Sequence, residues 1–348
     1  MKKTSLSLLL TFLLVTATLF TNCSEKQRKV PVSKAQPHMG TYFTITSYDF
    51  DKSEAYLNTV LDSAFFLIAE IDSETSSYGE QSITAKLNAQ NGTNRRIALP
   101  EHAANIVRQS LAISKATQGA FDITLWPVFQ MWDFGKTLPN LPDSSRLATA
   151  VQKVNYKRLI LAGKTLSLPA GVEIDLGGIN KGYAVEAVRA FLKARGLQNF
   201  LIDASGNLGI EWNRQDSIDV STRHPRTDAQ FWGKFKINKS CGLATSGDYH
   251  FYFMKDRVRY HHILNPATGM PARPMASATI IAKDAMIADG LSTAIFVMGP
   301  KKGAAYIEDN PDLDGILIYS EGDMLKETVS SGLKDIYKQV IDETTAPK

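Results

Sequence analysis

The sequence predicts an α+β fold rather than a doubly wound sheet. Apolar residues recur at helical spacing over residues 53 to 71 and again over 100 to 117. The second half instead carries many short strand-like runs in hairpin order. Composition agrees with a globular chain: 348 residues, 44% hydrophobic and 21% charged, suffice for a large core in one large domain or two of moderate size.

In chain order, "HMGTYFTITSYDF" (38–50) alternates and is rich in Thr, Tyr and Phe, which predicts a strand. Leu57, Val60, Leu61, Ala64, Leu67, Ile68 and Ile71 then predict a helix, followed by a polar segment over 72 to 92. A second helix runs to about 117 and stops at Gly119. "GAFDITLWPVFQMWDFG" (119–135) reads as a buried aromatic corner punctuated by Pro127. "LSLPAGVEIDL" (166–176) reads as a strand or hairpin ending at Asp175. Beyond Gly182, the positions Ala184, Val185, Val188, Phe191 and Leu192 predict a helix ending at Gly196. "NFLIDASGNLGI" (199–210) predicts the next strand, so this stretch reads as an α/β unit. Four further strand-like runs follow to residue 284, then a helix over 284 to 299, then more strands.

The first 22 residues differ. Lys2 and Lys3 precede an apolar run, and "TNC" follows, the layout of a secretory signal. The apolar run of roughly 15 residues is short for a membrane span, which needs about 20. Cys23 at the cut predicts a lipid-anchored protein, exported and held on the periplasmic side of a bacterial membrane. Residues 23 to 36 then read as a polar tether and 37 to 340 as the folded domain. Cys241 is the other cysteine, so a lipidated Cys23 leaves no internal disulfide. The formal charge is +4, and loses Lys2 and Lys3 with the signal, too little to argue for nucleic acid.

Three stretches bear on chemistry. "DLGGINKGYAVE" (175–186) places glycines and a lysine at a helix start, which suits an anion. It lacks the spacing of a phosphate-binding P-loop, so a plain strand-to-helix turn is the competing reading. "YHHILNPATGMPA" (260–272) crowds His261 and His262 beside a sharp turn, with His250 nearby in sequence; a site and a plain surface turn are both open. In "ADGLSTA" (288–294), Asp289 and Thr293 are four apart and share one helix face, an arrangement that suits a hard cation. A helix-start Asp and an ordinary Thr is the alternative.

Taken together, the chain resembles the ApbE family of flavin transferases from about residue 37 to 335. The resemblance rests on "MGT" (39–41), "SSYGEQSITAKLN" (76–88), "GAFDITLWPV" (119–128), "DLGGINKGYAVE", "SGDY" (246–249), "HILNPATGMP" (262–271) and "DGLSTAIFVMG" (289–299). It implies an ApbE-type fold, mixed and antiparallel sheets with packed helices in one large two-lobed domain. It implies that Met39, Tyr78, Ala120, Phe121, Asp122, Asp175, Lys181 and Ile263 bind the flavin nucleotide. Gly178 through its carbonyl, Asp289, Thr293 and with them Ser292 would hold Mg²⁺, and His262 would be the general base. The implied reaction moves FMN from FAD to a Ser or Thr hydroxyl of an Rnf/Nqr-like electron-transport subunit, releasing AMP. An imidazole of near-neutral pKa suits that proton transfer.

Three positions depart from the family pattern. Asn265 replaces the usual Asp in the histidine turn, which keeps the turn and loses a charge. Asn180 replaces Ala in the glycine turn, at little steric cost and with one more hydrogen-bonding group. "SGN" (205–207) replaces paired glycines. Two other activities remain open to this sequence: hydrolysis of FAD to FMN and AMP, and flavin binding without catalysis.

Overall fold

The computed structural model describes residues 30 to 340, apart from 77, 78, 80, 133, 135 to 140 and 229. The first strands are β1 (Val32–His38) and β2 (Thr41–Ser47), an antiparallel hairpin pairing His38 with Thr41. Met39 and Gly40, at φ 51 and 71, make the two-residue turn. Two left-handed residues give a turn whose twist matches the strands it joins. The single strand expected over 38 to 50 is therefore the second arm of a hairpin. The polar stretch expected as tether supplies the first arm from Val32, because this edge strand needs only a partner and not an apolar face.

Helix α1 (Glu54–Thr75) starts on a Ser53 cap and buries Leu57, Val60, Leu61, Ala64, Ile68 and Ile71 as their spacing requires. The polar segment after it contains α2 (Ile83–Ala89), capped by Ser82. Next come β3 (Arg95–Ala98), α3 (Glu101–Ala116), α4 (Trp126–Phe129), α5 (Ser144–Val151), β4 (Ile160–Ala162) and β5 (Thr165–Leu168). Gly119, at φ 86, ends the turn after α3 where expected.

Helix α6 (Asn180–Ala194) leads to β6 (Phe200–Asp203) and β7 (Asn207–Glu211). These two strands are one expected strand folded at Ser205 and Gly206, both with positive φ. Then come β8 (Ile218–Arg223), β9 (Phe231–Ile237), β10 (Cys241–Gly247), β11 (Tyr252–Lys255), β12 (Val258–His261) and β13 (Met275–Ala282). Helix α7 (Ala285–Glu308) bends at Gly299–Pro300, and β14 (Asp314–Glu321), β15 (Met324–Val329) and β16 (Lys338–Gln339) close the fold.

The central sheet has eight strands in the order β1-β2-β6-β7-β10-β13-β14-β15, every pair antiparallel. This bears out the α+β expectation. The expected α/β unit does not form, because β5 belongs to a separate sheet, β3-β5-β4. Only Thr165 to Leu168 of "LSLPAGVEIDL" and its flank pair as strand. The rest is held by scattered loop bonds, with Asn88 Oδ1 accepting from the Ile174 N–H at 2.8 Å and the Asn91 carbonyl accepting from the Gly171 N–H at 2.6 Å. From Val32 onward the chain is one compact unit. Ile106, Phe121, Ile179 and Phe296 share one buried core, while Leu61, Val188 and Phe200 share a second.

Helices α6 and α7 cross closely enough that Gly182 accepts no substitute. A Cβ there would collide with the Ala285 carbonyl and lie 2.5 Å from Asp289 Cβ. That crossing sets the position of everything below.

Candidate active site

The glycine turn is fastened before α6 begins. The Asp175 N–H donates to the Ile123 carbonyl at 2.8 Å, and Asp175 Oδ1 accepts from the Gly177 N–H at 3.1 Å. Asn180 Oδ1 accepts from Thr75 Oγ1 at 3.0 Å and ties the start of α6 to the end of α1. The Asn in place of Ala therefore adds a hydrogen bond. Asn265 likewise keeps its turn, its Oδ1 accepting from the Ala267 N–H at 2.9 Å.

Asp289 lies on α7 opposite this helix start. Its Oδ2 accepts from the Gly182 N–H at 2.8 Å across the crossing. The side chain is 5% exposed, and burial pushes its carboxyl up. The Lys181 ammonium, the Gly182 N–H and Asn207 oppose that rise. Thr293 follows one turn later on the same face, as the spacing required. A Cβ built on Gly178 would lie 3.9 Å from Thr293 Oγ1 and 3.1 Å from Phe121 Cε2. Three stretches remote in sequence thus meet: the glycine turn, the Phe121 loop and α7.

The histidine turn faces the same lysine. His262 donates its backbone N–H to the Phe251 carbonyl at 3.0 Å, and its ring meets Phe251 edge-on at 5.6 Å. Its Nδ1 is buried without a hydrogen-bond partner. Burial pushes the imidazole down to about 3, and positive charge on His261, His250 and Lys181 would add to the effect. The expected near-neutral pKa is therefore corrected: an apolar pocket beside cations favours the uncharged ring. His250 is lowered also, by burial first and then by Arg223 and Lys181.

The remaining expected residues divide. Phe121 is 4% exposed beside Gly178, and Ala120 is half-buried before it. Asp122 spends both oxygens inside the protein: Oδ1 accepts from the Thr124 N–H and hydroxyl at 2.8 and 2.6 Å, and Oδ2 from the Tyr156 N–H at 2.9 Å. Its carboxylate shapes the loop. Ile263 packs its side chain into the core with Phe121. Met39 donates its N–H to Asp72 Oδ2 at 2.8 Å in the β1–β2 turn, and neighbouring Thr41 hydrogen-bonds Ser205. Tyr78 lies outside the described residues. Ser292 is fully buried and donates to the Asp289 carbonyl at 2.8 Å, so its hydroxyl serves the helix rather than an open ligand position.

Two residues of "SGDY" had no role assigned. Ser246 Oγ lies 2.9 Å from Ser292 Oγ and 3.1 Å from Thr293 Oγ1. Asp248, 4% exposed, takes a two-pronged pair from Arg226 at 2.6 and 2.8 Å. The signal was present in the motif itself, but hydroxyl contacts across 46 and 47 positions leave no trace in local spacing.

The donor set fits a hard cation. It offers one buried carboxylate, a hydroxyl and a neighbouring glycine with a backbone carbonyl, all oxygen. Among the described residues no group of three or more His, Cys, Asp and Glu side chains gathers. A buried carboxylate also gains from a cation, because Lys181, the Gly182 N–H and Asn207 offset only part of its lost hydration.

The model of the ApbE family matches residues 39 to 317. A curated FAD:protein FMN transferase of Vibrio cholerae is 29% identical over 323 residues, 91% of this chain and 95% of that protein. One of Treponema pallidum is 28% identical, covering 86% of this chain and 88% of that protein. Among solved structures, the ApbE protein of Thermotoga maritima superimposes with a TM-score of 0.79 at 29% identity, covering 88% of this chain and 99% of the other. The flavin transferase ApbE of Vibrio cholerae gives 0.77 at 27% identity, with the same coverage.

Proposed function

The chain belongs to the ApbE family, and from that premise we propose that it transfers FMN from FAD to a Ser or Thr hydroxyl of an acceptor protein. The acceptor is an electron-transport subunit of the Rnf/Nqr-like kind, AMP is the leaving group, and Mg²⁺ assists. The observation carrying this reading is the meeting of Asp289, Thr293, Gly178 and Phe121 beside Lys181, with the unpartnered His262 Nδ1 in reach of the same lysine's field.

The bonds balance. The acceptor oxygen forms a bond to the FMN phosphorus, and the phosphoanhydride bond to AMP breaks. AMP departs with the bridging oxygen, and the acceptor's proton passes to the His262 imidazole. Held by the Asp289 carboxylate, the Thr293 hydroxyl and the Gly178 carbonyl, Mg²⁺ would neutralise charge and polarise the phosphoryl group. Lys181 screens the same pyrophosphate. Phe121 offers a flat apolar face where the glycine lets a ligand approach. His262 is uncharged at working pH, so its lone pair is ready; an anionic pyrophosphate beside it raises its basicity by cancelling the Lys181 field.

Residues 1 to 22 act as a secretory signal and Cys23 carries the lipid on the periplasmic side. The anchor segment then ends at Pro31, since β1 begins at Val32. Among the described residues no helix is long and apolar enough to cross a membrane.

The test is direct. Mature chain, FAD, Mg²⁺ and a purified Nqr-type subunit give a fluorescent band on a denaturing gel, and Asp289→Ala abolishes it. His262→Ala slows it by about 10²–10⁴. AMP released in equal amount without any acceptor protein identifies hydrolysis instead. No labelled band with a competent subunit overturns the transfer.

A further inference from the structure

We propose that Ser246 is a positioning residue that turns the Thr293 proton away from the cation site. The proposal rests on Asp289 and Thr293 being metal ligands, and it follows from counting protons along three hydroxyls.

Ser292 Oγ lies 2.8 Å from the Asp289 carbonyl oxygen. A carbonyl only accepts, and a serine hydroxyl has one proton to give, so the Ser292 proton is spent there. Ser246 Oγ, 2.9 Å from Ser292 Oγ, is therefore the donor in that pair. Its single proton is now spent as well. Thr293 Oγ1, 3.1 Å from Ser246 Oγ, is left as the donor to Ser246. The direction of every bond follows from one backbone carbonyl at the end of the chain.

The consequence falls on Thr293. A cation needs a lone pair, and a hydroxyl proton aimed at it repels. With its proton committed to Ser246, Thr293 keeps its lone pairs for the side where Gly178 stands. The anchor is rigid: Ser292 is fully buried on α7, and Ser246 is held on β10 by pairing with Ala278 of β13. Groups that orient metal ligands in this way contribute roughly 10–100-fold in metal affinity.

Titration of Mg²⁺ by calorimetry, or of Mn²⁺ by electron paramagnetic resonance, into the mature full chain without FAD measures this apart from turnover. Ser246→Ala weakens cation binding by about tenfold. Ser246→Thr keeps the hydroxyl and restores the affinity. Ser292→Ala also weakens binding, because the freed Ser246 proton turns onto Thr293. In a Thr293→Val background, Ser246→Ala changes nothing further; a merely structural role would cost the same in both backgrounds. Wild-type affinity in Ser246→Ala, or equal losses in both backgrounds, overturns the proposal. If Ser246→Ala does not fold, Ser292→Ala decides by the same titration. If Asp289→Ala binds the cation as well as wild type, the ligand assignment fails and the relay with it. Loss of flavin transfer with this pattern of affinities intact refutes only the transfer.

Discussion

Replacing Gly182 by alanine sets two magnitudes against each other. Alanine is favoured over glycine inside a helix by roughly 1 kcal/mol, so α6 taken alone is stabilised. At the crossing, the new methyl would lie 2.5 Å from Asp289 Cβ and 2.9 Å from Met286 Cα, and would collide with the Ala285 carbonyl. These are backbone and near-backbone atoms and do not swing aside. Overpacking of this kind costs about 1–3 kcal/mol. Moving the helices apart also stretches the 2.8 Å bond from the Gly182 N–H to Asp289, and hydrogen bonds to charged groups contribute about 1.5–3 kcal/mol. The contact terms win, and the net loss is about 2 kcal/mol or more. Urea unfolding of the mature chain followed by circular dichroism measures it as a lowered midpoint. Gly92→Ala is the control, since a Cβ there meets nothing within 4 Å. Cation affinity falls with stability in Gly182→Ala, because the same bond places Asp289. A midpoint at or above wild type would refute the reasoning and show that helix propensity, not the crossing, selects glycine here.

Two other predictions concern stability. Thr75→Val removes the hydroxyl that lies 2.6 Å from the Ile71 carbonyl and 3.0 Å from Asn180 Oδ1 in a fully buried site, and destabilises by about 1–3 kcal/mol; Thr75→Val with Asn180→Ala costs less than the two apart, read from urea midpoints. Acid weakens the fold through His261, which is 2% exposed and accepts from the Ile263 N–H at 3.3 Å, its other nitrogen 2.9 Å from the Ala272 carbonyl. Burial pushes that imidazole down from 6.5 to about 4, so the unfolded chain binds more protons in between. Its contribution is fully present above pH 6.5 and is lost as pH falls toward 4, by about 1.4 kcal/mol per pH unit. The buried Asp122 and Asp203 carboxyls, pushed up, act in the opposite sense and lessen the slope. Unfolding midpoints at pH 7, 5.5 and 4.5 show the loss, and His261→Gln lessens it, the remainder staying with His262 and His250, whose imidazoles burial also pushes down.

The hairpins were the least legible part. "HMGTYFTITSYDF" looks like one strand because Met39 hides the turn; only its left-handed φ reveals it. "NFLIDASGNLGI" hides Ser205 in the same way. β1 escaped notice because "VSKAQPH" has no apolar alternation and is a strand only by pairing with β2. The Asp122 carboxylate reads as a ligand in a motif, yet its neighbours Thr124 and Tyr156 take both oxygens. His262 shows the same gap: its residue type predicts a near-neutral base, and its pocket decides otherwise.

The sequence alone determined where the long helices lie and that glycines at 119 and 196 end two of them, because a 3.6-residue period and a left-handed glycine are local properties; α7 instead bends at its expected end, Gly299, and runs on to Glu308. The sequence also determined that Asp289 and Thr293 share a face, for the same reason. Only the tertiary structure decided which sheet each strand joins, and that a bond spanning 107 positions sets Asp289 against Gly182. The protonation of His262 and the proton order through Ser246 also came only from the fold. These depend on burial and on contacts between distant segments, and folding creates both.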